Sequence, residues 1–327
     1  MTVQLSIIGL GKIGASIGLA LSDETKQITR VGHDLSQENA QEAKKMGAVD
    51  ILERNLFKAV EGTDILLLAI PVDQVIETLD LVKNDLRPDT VILDTSPIKQ
   101  ATLDWVEKNL PKTLHYVSMM PTLNASLFST YASGPAAAHK DMFKNSLMMI
   151  SAPLHTEADA LSVATNLSGM LGASPLYTDV LESDGLASGS HVLPQLMAVA
   201  LLNSMSKQPG WLESRKIAGN HFYHATLPVL NYDDKTRMGE TLIQNRENNI
   251  RQLDLYIQEL LDLRDAMKES DFETLKTSLD KARDERLLWL SRRIDNDWNV
   301  TKAKVEMPSA KDMFAQLFGM GRFSKKK

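Results

Sequence analysis

Cysteine is absent from all 327 residues, which removes disulfides, thiolate metal sites and a thiol nucleophile from consideration. Excess basic charge is absent too. Thirty-six Lys and Arg stand against 42 Asp and Glu, a net charge of −6, whereas a general nucleic-acid binder needs a basic face. No nucleic-acid partner and no metal are expected. No charged-then-apolar leader opens the chain, which runs straight into a strand-like segment. The longer apolar stretches, such as Val192 to Leu202, fall short of the roughly 18 residues a membrane span requires. A cytoplasmic protein without a membrane span is the expectation. Internal repeats and low-complexity segments are also lacking. What remains is an ordinary globular composition, 43% hydrophobic and 24% charged, with length for about two domains.

The stretch that organises the rest is Leu5 to Gly18. An apolar run ends in Gly9, Gly11 and Gly14 and then turns amphipathic: a buried strand, a tight turn and a helix start in one piece. Gly9 lets the chain turn, Gly11 removes the Cβ that would block a pyrophosphate, and Gly14 allows close packing of helix and strand. The helix N-terminus, with Leu10, Lys12 and Ile13 around the turn, offers unpaired N–H groups and partial positive charge to phosphates. A second strand-like run, Ile28 to Gly32, leads to Asp34, about twenty residues beyond the last glycine. An acid there accepts both ribose hydroxyls and repels a 2′-phosphate, so NAD is expected in preference to NADP.

Strand and helix patterns then alternate. Helices are expected to start near Ser36, Asp73, Lys99 and Thr156, and strands to cover Asp64–Ile70, Thr90–Asp94, Leu114–Val117, Leu147–Ser151 and Pro175–Thr178. Near-continuous apolar strands separated by amphipathic helices imply a parallel sheet covered on both faces, with its ligand at the carboxyl ends of the strands. Three strand ends fall there: Ala69-Ile70-Pro71-Val72, Asp94 to Lys99, and Ser118-Met-Met120-Pro-Thr122. Ile70, Pro71 and Val72 are read as lining the nicotinamide end of the cofactor. After Asp179 the alternation stops. Glu182 to Met205 reads as one long helix that tolerates Pro194, Gly239 to Met267 repeats apolar residues at Ile250, Leu253, Ile257 and Leu260, and a further helix runs from Phe272 to Ile294. The fold class expected is α/β, a Rossmann doubly wound parallel sheet over 1–179 followed by an all-helical domain over 180–298 and a tail over 299–327. The helical stripes exceed what one small domain buries, which implies a homodimer. In the tail, Met313, Phe314, Leu317 and Phe318 share a helical face ahead of Arg322 and Lys325-Lys-Lys327, a segment expected to fray or to dock on its own domain, with a partner or a membrane surface as the alternative.

The order of these pieces resembles the prephenate/arogenate dehydrogenase family over nearly the whole chain. The resemblance is carried by GLGKIGASIGLAL at 9–21, AIPV at 69–72, the Asp94…Lys99 segment, MFKNSLMMISAP at 142–153, Asp184…Ala187…Ser190-His191-Val-Leu-Pro194, Ala218-Gly-Asn-His-Phe222 and the Asn245-Arg246 helix. It implies oxidative decarboxylation of a cyclic hydroxy acid in tyrosine biosynthesis. A histidine takes the proton of the ring hydroxyl, hydride passes to NAD(P), carbon dioxide leaves, a loop serine orients the histidine, and an arginine fork holds a carboxylate.

Three positions depart from that pattern. The family's Gly-Ser-His-Pro reads Ser118-Met119-Met120-Pro121, so Met120 stands where the base belongs. The loop serine is Pro97, with Ser96 beside it. Gly-Phe-Arg-Asp reads His221-Phe222-Tyr223-His224, so Tyr223 replaces the arginine. His191, Ser96, Lys99 and His221 are therefore the candidate catalytic residues, and Met120 and Tyr223 are expected to meet a small-molecule carboxylate substrate. Two functions are open: an NAD-dependent dehydrogenase of this family with a possibly altered substrate, or a dimeric nucleotide-binding module without hydride transfer.

Overall fold

The computed structural model describes residues 2–128, 133–231 and 238–297. They fall into two compact units. One comprises Met1–Ser96, Thr102–Asp179 and Asp280–Lys327 as far as described; the other comprises Pro97–Ala101 and Val180–Leu279. The amphipathic tail lies outside the described residues.

The first unit is built on strands β1 (Val3–Ile8), β2 (Ile28–His33), β3 (Ile51–Leu52), β4 (Ile65–Leu68), β5 (Val91–Asp94), β6 (His115–Pro121), β7 (Ser146–Ser151) and β8 (Ala173–Tyr177). Between them run helices α1 (Lys12–Ala20), α2 (Gln37–Lys45), α3 (Leu56–Val60), α4 (Val72–Val82), α5 (Gln100–Asn109) and α6 (Ala158–Met170). The strands form one sheet in the order β3-β2-β1-β4-β5-β6-β7-β8. The chain moves outward from β1 in one direction and returns beside it as β4, so the strand order reverses between β1 and β4. That switch point is where ligands of such sheets lie. Two apolar layers cover the sheet. Leu5, Ile7, Leu93, Val117, Met119, Met148 and Ile150 face α1 and α6, while Ile8, Leu66, Leu68, Ile92 and Tyr116 face α4 and the residues of α5.

Local chemistry explains the main helix starts. The Ser36 hydroxyl accepts the Asn39 N–H at 3.3 Å and caps α2, and Asn55 does the same for α3 through the Lys58 N–H. Proline 71 precedes α4 and forfeits no helical hydrogen bond there. Two short elements, β3 and α3, give no run long enough to be read from sequence. The larger difference is in β6 and β7. The expected all-parallel sheet is parallel in every pairing except this one, where Ser118, Met119, Met120 and Pro121 pair antiparallel with Ser151, Ile150, Met149 and Met148. That pairing draws β6 four residues past its expected end at Val117. Ser118 to Pro121 is therefore strand, not a loop after a strand.

Away from the switch point, Arg30 on β2 is buried and fully used. Its guanidinium holds Asp50 through Nη2–Oδ1 at 2.6 Å and Nε–Oδ2 at 3.0 Å, and donates to the Gly18 and Gly47 carbonyls. Burial pushes the Asp50 carboxyl up, but hydrogen bonds and charge from Arg30, with Lys44, outweigh it and leave its pKa below the ordinary value.

The second unit contains α7 (Val180–Ala187), α8 (Leu193–Ser206), α9 (Trp211–Ile217), α10 (Asn220–Thr226), α11 (Met238–Gln244), α12 (Arg246–Lys268) and the start of α13 (Phe272–Asp295). The long helix expected over Glu182–Met205 is present, but a π turn at Ser188–Val192 interrupts it. Pro194 has no N–H to continue the regular ladder, and the Leu193 N–H reaches back five residues to the Ser188 carbonyl. The π turn packs on α12 through polar pairs. Ser188 Oγ meets Asn249 Oδ1 at 2.6 Å, Asn249 donates to the Leu242 carbonyl, and Asn245 donates to the Asp184 carbonyl. The run Val180–Ser206 spans 27 residues with a window mean hydropathy of 1.3, long and apolar enough to cross a membrane by length and composition. That corrects the expectation of short apolar stretches only. Its buried Asp184 and Ser188 have protein partners, while 22% of that window is buried.

Pro97–Ala101 clusters with the helical unit because Asp184 holds it. The Asp184 carboxylate accepts the Lys99 N–H at 2.7 Å and the Gln100 N–H at 3.0 Å, capping the start of α5. The last turns of α13 cluster with the sheet because Arg293 is anchored there. Its Nη2 donates to Thr122 Oγ1 at 2.8 Å and to the Leu123 carbonyl, and its guanidinium lies 5.6 Å from the Phe128 ring centre. Phe128 in turn stacks on Trp289 at 5.9 Å. Pro97–Ala101 and the residues from Asp280 onward therefore group across the boundary at Asp179.

Candidate functional site

The glycine turn follows β1 and sits at the switch point. Gly9 has φ of 91°, in the left-handed region that favours glycine, and a Cβ there would collide with the Ala69 carbonyl. At Gly14 a Cβ would strike the Gly9 carbonyl oxygen, whereas at Gly11 it would meet nothing within 4 Å. Two glycines are thus required by the protein's own packing, and the third faces open space. Gly11 also serves as the N-cap of α1 and offers no side-chain cap, so the first turn of this nine-residue helix presents backbone N–H groups and partial positive charge at one point. Burial holds the Lys12 ammonium below the ordinary lysine pKa.

Asp34 ends β2 beside this turn. Its Oδ2 accepts the Leu10 N–H at 2.7 Å and its Oδ1 accepts the Ser36 N–H at 2.7 Å. The carboxylate therefore braces the glycine turn, a role its spacing did not reveal. Each oxygen retains a lone-pair direction for a further donor. Ile70 and Val72 are half-buried and Pro71 is exposed where β4 gives way to α4. An open Gly11, an uncapped helix N-terminus and an acid with spare acceptor capacity fit a dinucleotide with free ribose hydroxyls.

One strand further along, Asp94 closes β5 fully buried. Its carboxylate accepts the Ser96 N–H at 2.8 Å, the Ser96 hydroxyl at 2.9 Å and the Tyr116 hydroxyl at 2.7 Å. Ser96 thus spends its proton on Asp94, and toward a ligand its oxygen can only accept. Tyr116, which the sequence analysis did not single out, is part of this cluster. Met120 is 4% exposed and sits in the body of β6 opposite Met149. A thioether there takes no proton.

In the helical unit, Lys99 is among the largest fully buried side chains. His191 lies on the π turn, and π turns recur at functional sites. Its Nδ1 is 2.9 Å from Ser190 Oγ, and Ser190 Oγ donates to the Leu186 carbonyl at 2.7 Å. A serine hydroxyl has one proton, so with that proton on Leu186 the ring must donate from Nδ1. That assigns the tautomer and leaves the Nε2 lone pair as the basic site. The ring keeps an exposed edge, yet desolvation by its surroundings pushes its pKa below the ordinary histidine value, favouring the neutral form. His221 and Tyr223 are on α10 and exposed, Tyr223 at 60%. Tyr223 packs edge-on against His224 at 5.3 Å. Within their unit neither is set in an enclosed pocket.

Comparison with known proteins agrees with this architecture. The family pattern described as "Prephenate dehydrogenase, nucleotide-binding domain" matches residues 17–176. The prephenate dehydrogenase of Bacillus subtilis (strain 168) is 24% identical over 288 residues, covering 88% of this chain and 76% of that protein. The cyclohexadienyl dehydrogenase of Zymomonas mobilis is 23% identical over 302 residues, covering 88% of this chain and 97% of that protein. The crystal structure of prephenate dehydrogenase from A. aeolicus in complex with hydroxyphenyl propionate and NAD+ superimposes with a TM-score of 0.75 at 20% identity, over 88% of this chain and 98% of that one. The chain is thus similar to prephenate dehydrogenases over most of its length, and residues 17–176 match the pattern of their nucleotide-binding domain.

Proposed function

We propose that the chain is an NAD-dependent dehydrogenase that oxidises a small cyclic hydroxy acid, with prephenate or arogenate as the default substrates, and that it works as a cytoplasmic homodimer. The observation that carries the reading is the pairing of an open Gly11 at an uncapped helix start with Asp34 beside it. NAD, when bound, supplies the hydride acceptor. Gly9 to Gly14 hold its phosphates, Asp34 its ribose hydroxyls, and Ile70, Pro71 and Val72 flank it. NADP is disfavoured because a 2′-phosphate would meet the Asp34 carboxylate.

His191 takes the place of the base lost at Met120. Its tautomer is set by Ser190, so Nε2 receives the proton of the substrate hydroxyl. Ser96 accepts a hydrogen bond, Lys99 contributes positive charge, and His221 is the second candidate base. Tyr223 offers one neutral hydrogen bond in place of a guanidinium fork. Apolar residues left exposed on α12, including Ile250, Leu255, Ile257 and Leu260, support the homodimer.

The test is NADH absorbance with prephenate and arogenate, on wild type, His191→Ala and the double variant Met120→His with Tyr223→Arg. Wild-type turnover abolished in His191→Ala supports the reading. Tight NAD binding with no turnover except in the double variant would favour a nucleotide-binding module whose substrate chemistry has been removed. Absence of NAD binding would overturn both.

A further inference from the structure

The sheet carries a row of hydroxyls that the protein leaves unpaired. Ser118 on β6 stands directly opposite Ser151 on β7, and the ladder continues to Thr178, whose N–H donates to the Ile150 carbonyl one step past the end of β8. The hydroxyl oxygens of all three are buried and have no hydrogen-bond partner among the described residues. Ser118 is 1% exposed and Ser151 3%. Alternation fixes the face. Val117, Met119, Met148 and Ile150 point into the core under α6, so Ser118, Met120, Met149 and Ser151 share the other face. Asp94, next to Ser118 across the β5–β6 pairing, takes its hydrogen bonds from Ser96 and Tyr116.

A buried hydroxyl without a partner is costly, and a pair replaced by apolar groups of like shape is near neutral. A sheet serving only as a core would gain by alanine at both positions. Cross-strand neighbours have Cβ atoms about 4.5–5.5 Å apart, which places both serine hydroxyls within reach of one shared oxygen. Two thioethers flank them, and the buried Asp94 carboxylate lies beside Ser118 on the same face.

We propose that Ser118 and Ser151, extended by Thr178, are specificity-determining residues that receive an uncharged ring oxygen of the substrate, a hydroxyl or a ketone. The inference rests on the dehydrogenase reading and names what its substrate presents to this face. Each serine both donates and accepts, so the pair suits a hydroxyl before oxidation and a carbonyl after it. An analogue lacking that oxygen leaves both serines buried and unpaired, which is how a site rejects a deoxy compound.

The experiment titrates the NAD-loaded protein by calorimetry with hydroxyphenylpropionate and with phenylpropionate, which lacks the ring oxygen. Wild type should prefer the hydroxylated compound by about tenfold or more. Ser118→Ala and Ser151→Ala should each erode that preference, and the double variant should bring it to unity. NAD affinity should stay unchanged, and Tm should be equal or higher. A preference retained in the double variant, no preference in wild type, or no binding of either compound to NAD-loaded protein would overturn the proposal while leaving the NAD reading in place. Failure of NAD itself to bind would bring down the dehydrogenase reading and this inference with it.

Discussion

Replacing Asp34 by alanine perturbs two functions at once, and the structure separates them. The carboxylate receives the Leu10 and Ser36 N–H groups, both at 2.7 Å, and hydrogen bonds to a charged group contribute about 1.5–3 kcal/mol each. Asp34 is half-buried, so water recovers part of that loss, and Asp34→Ala should cost about 2–4 kcal/mol of stability. NAD affinity should fall by a further about 1.5–3 kcal/mol, or roughly 10–150-fold, from lost ribose contacts and a loosened glycine turn. Asp34→Asn distinguishes the two. Its amide oxygen can still accept one backbone N–H, so about half the stability should return, while ribose binding stays weak because one acceptor has become a donor. Urea denaturation reads the first effect; calorimetry with NAD and NADP reads the second. Unchanged stability in Asp34→Ala, or wild-type NADP binding as tight as NAD, would refute the reasoning.

Arg293→Met removes two hydrogen bonds and a stacked cation from the loop after β6, and should cost about 2–4 kcal/mol in denaturant unfolding; a loss within 0.5 kcal/mol would show that α13 is not anchored there. Asp50 has a depressed folded pKa, so its stabilisation is present above the unfolded value of about 3.9 and is lost as pH falls through the folded pKa. Arg30→Met should flatten the acid slope of stability in that window, and an unaltered slope would contradict the pairing. His191 must be unprotonated to act as base, and burial lowers its pKa, so the acid limb of kcat should lie below about 6.5; a limb at or above that value would remove it as the base. Light scattering should give twice the chain mass, and Ile257→Asp with Leu260→Asp should shift it toward one; a wild-type monomer at micromolar concentration would end the dimer proposal.

Much of the nucleotide half was legible because its signals are local. Three glycines and an acid at fixed spacing describe one turn, and apolar runs between amphipathic helices describe one sheet. Strand direction was not legible. Leu147–Ser151 is an apolar run like its parallel neighbours, and such a run carries no mark of polarity. Its antiparallel pairing is what turns Ser118–Pro121 from a loop into a strand and places Met120 in the sheet. Asp34 was read for its ligand role from spacing, but its two backbone N–H partners depend on how the chain bends at Leu10 and Ser36. Arg293 was invisible for a different reason. Its partners lie some 170 residues earlier, and no periodicity within α13 distinguishes it from the solvated arginines beside it. The Asp184, Asn245 and Asn249 network belongs to the same class: its partners lie on elements about sixty residues apart in sequence.

The departures at residues 97, 120 and 223 share a physical direction. Against the family pattern that the sequence resembles, proline, methionine and tyrosine stand in place of a hydroxyl, a titratable ring and a fixed cation, and each change removes charge or proton-transfer capacity. A site losing such groups by drift would be expected to fill with apolar side chains, because unpaired buried polar groups are costly. The β6–β7 face shows the opposite: Ser118 and Ser151 remain polar, buried and unpaired among the described residues, next to the replaced base. Retention of a costly neutral polar pair beside a lost charged group is the pattern of a site adapted to a neutral partner. In the proposed reaction the proton transfer is assigned to His191, whose tautomer is set by Ser190 and whose pKa desolvation lowers toward the neutral form, and the charge for a carboxylate is assigned to Lys99 in place of Tyr223.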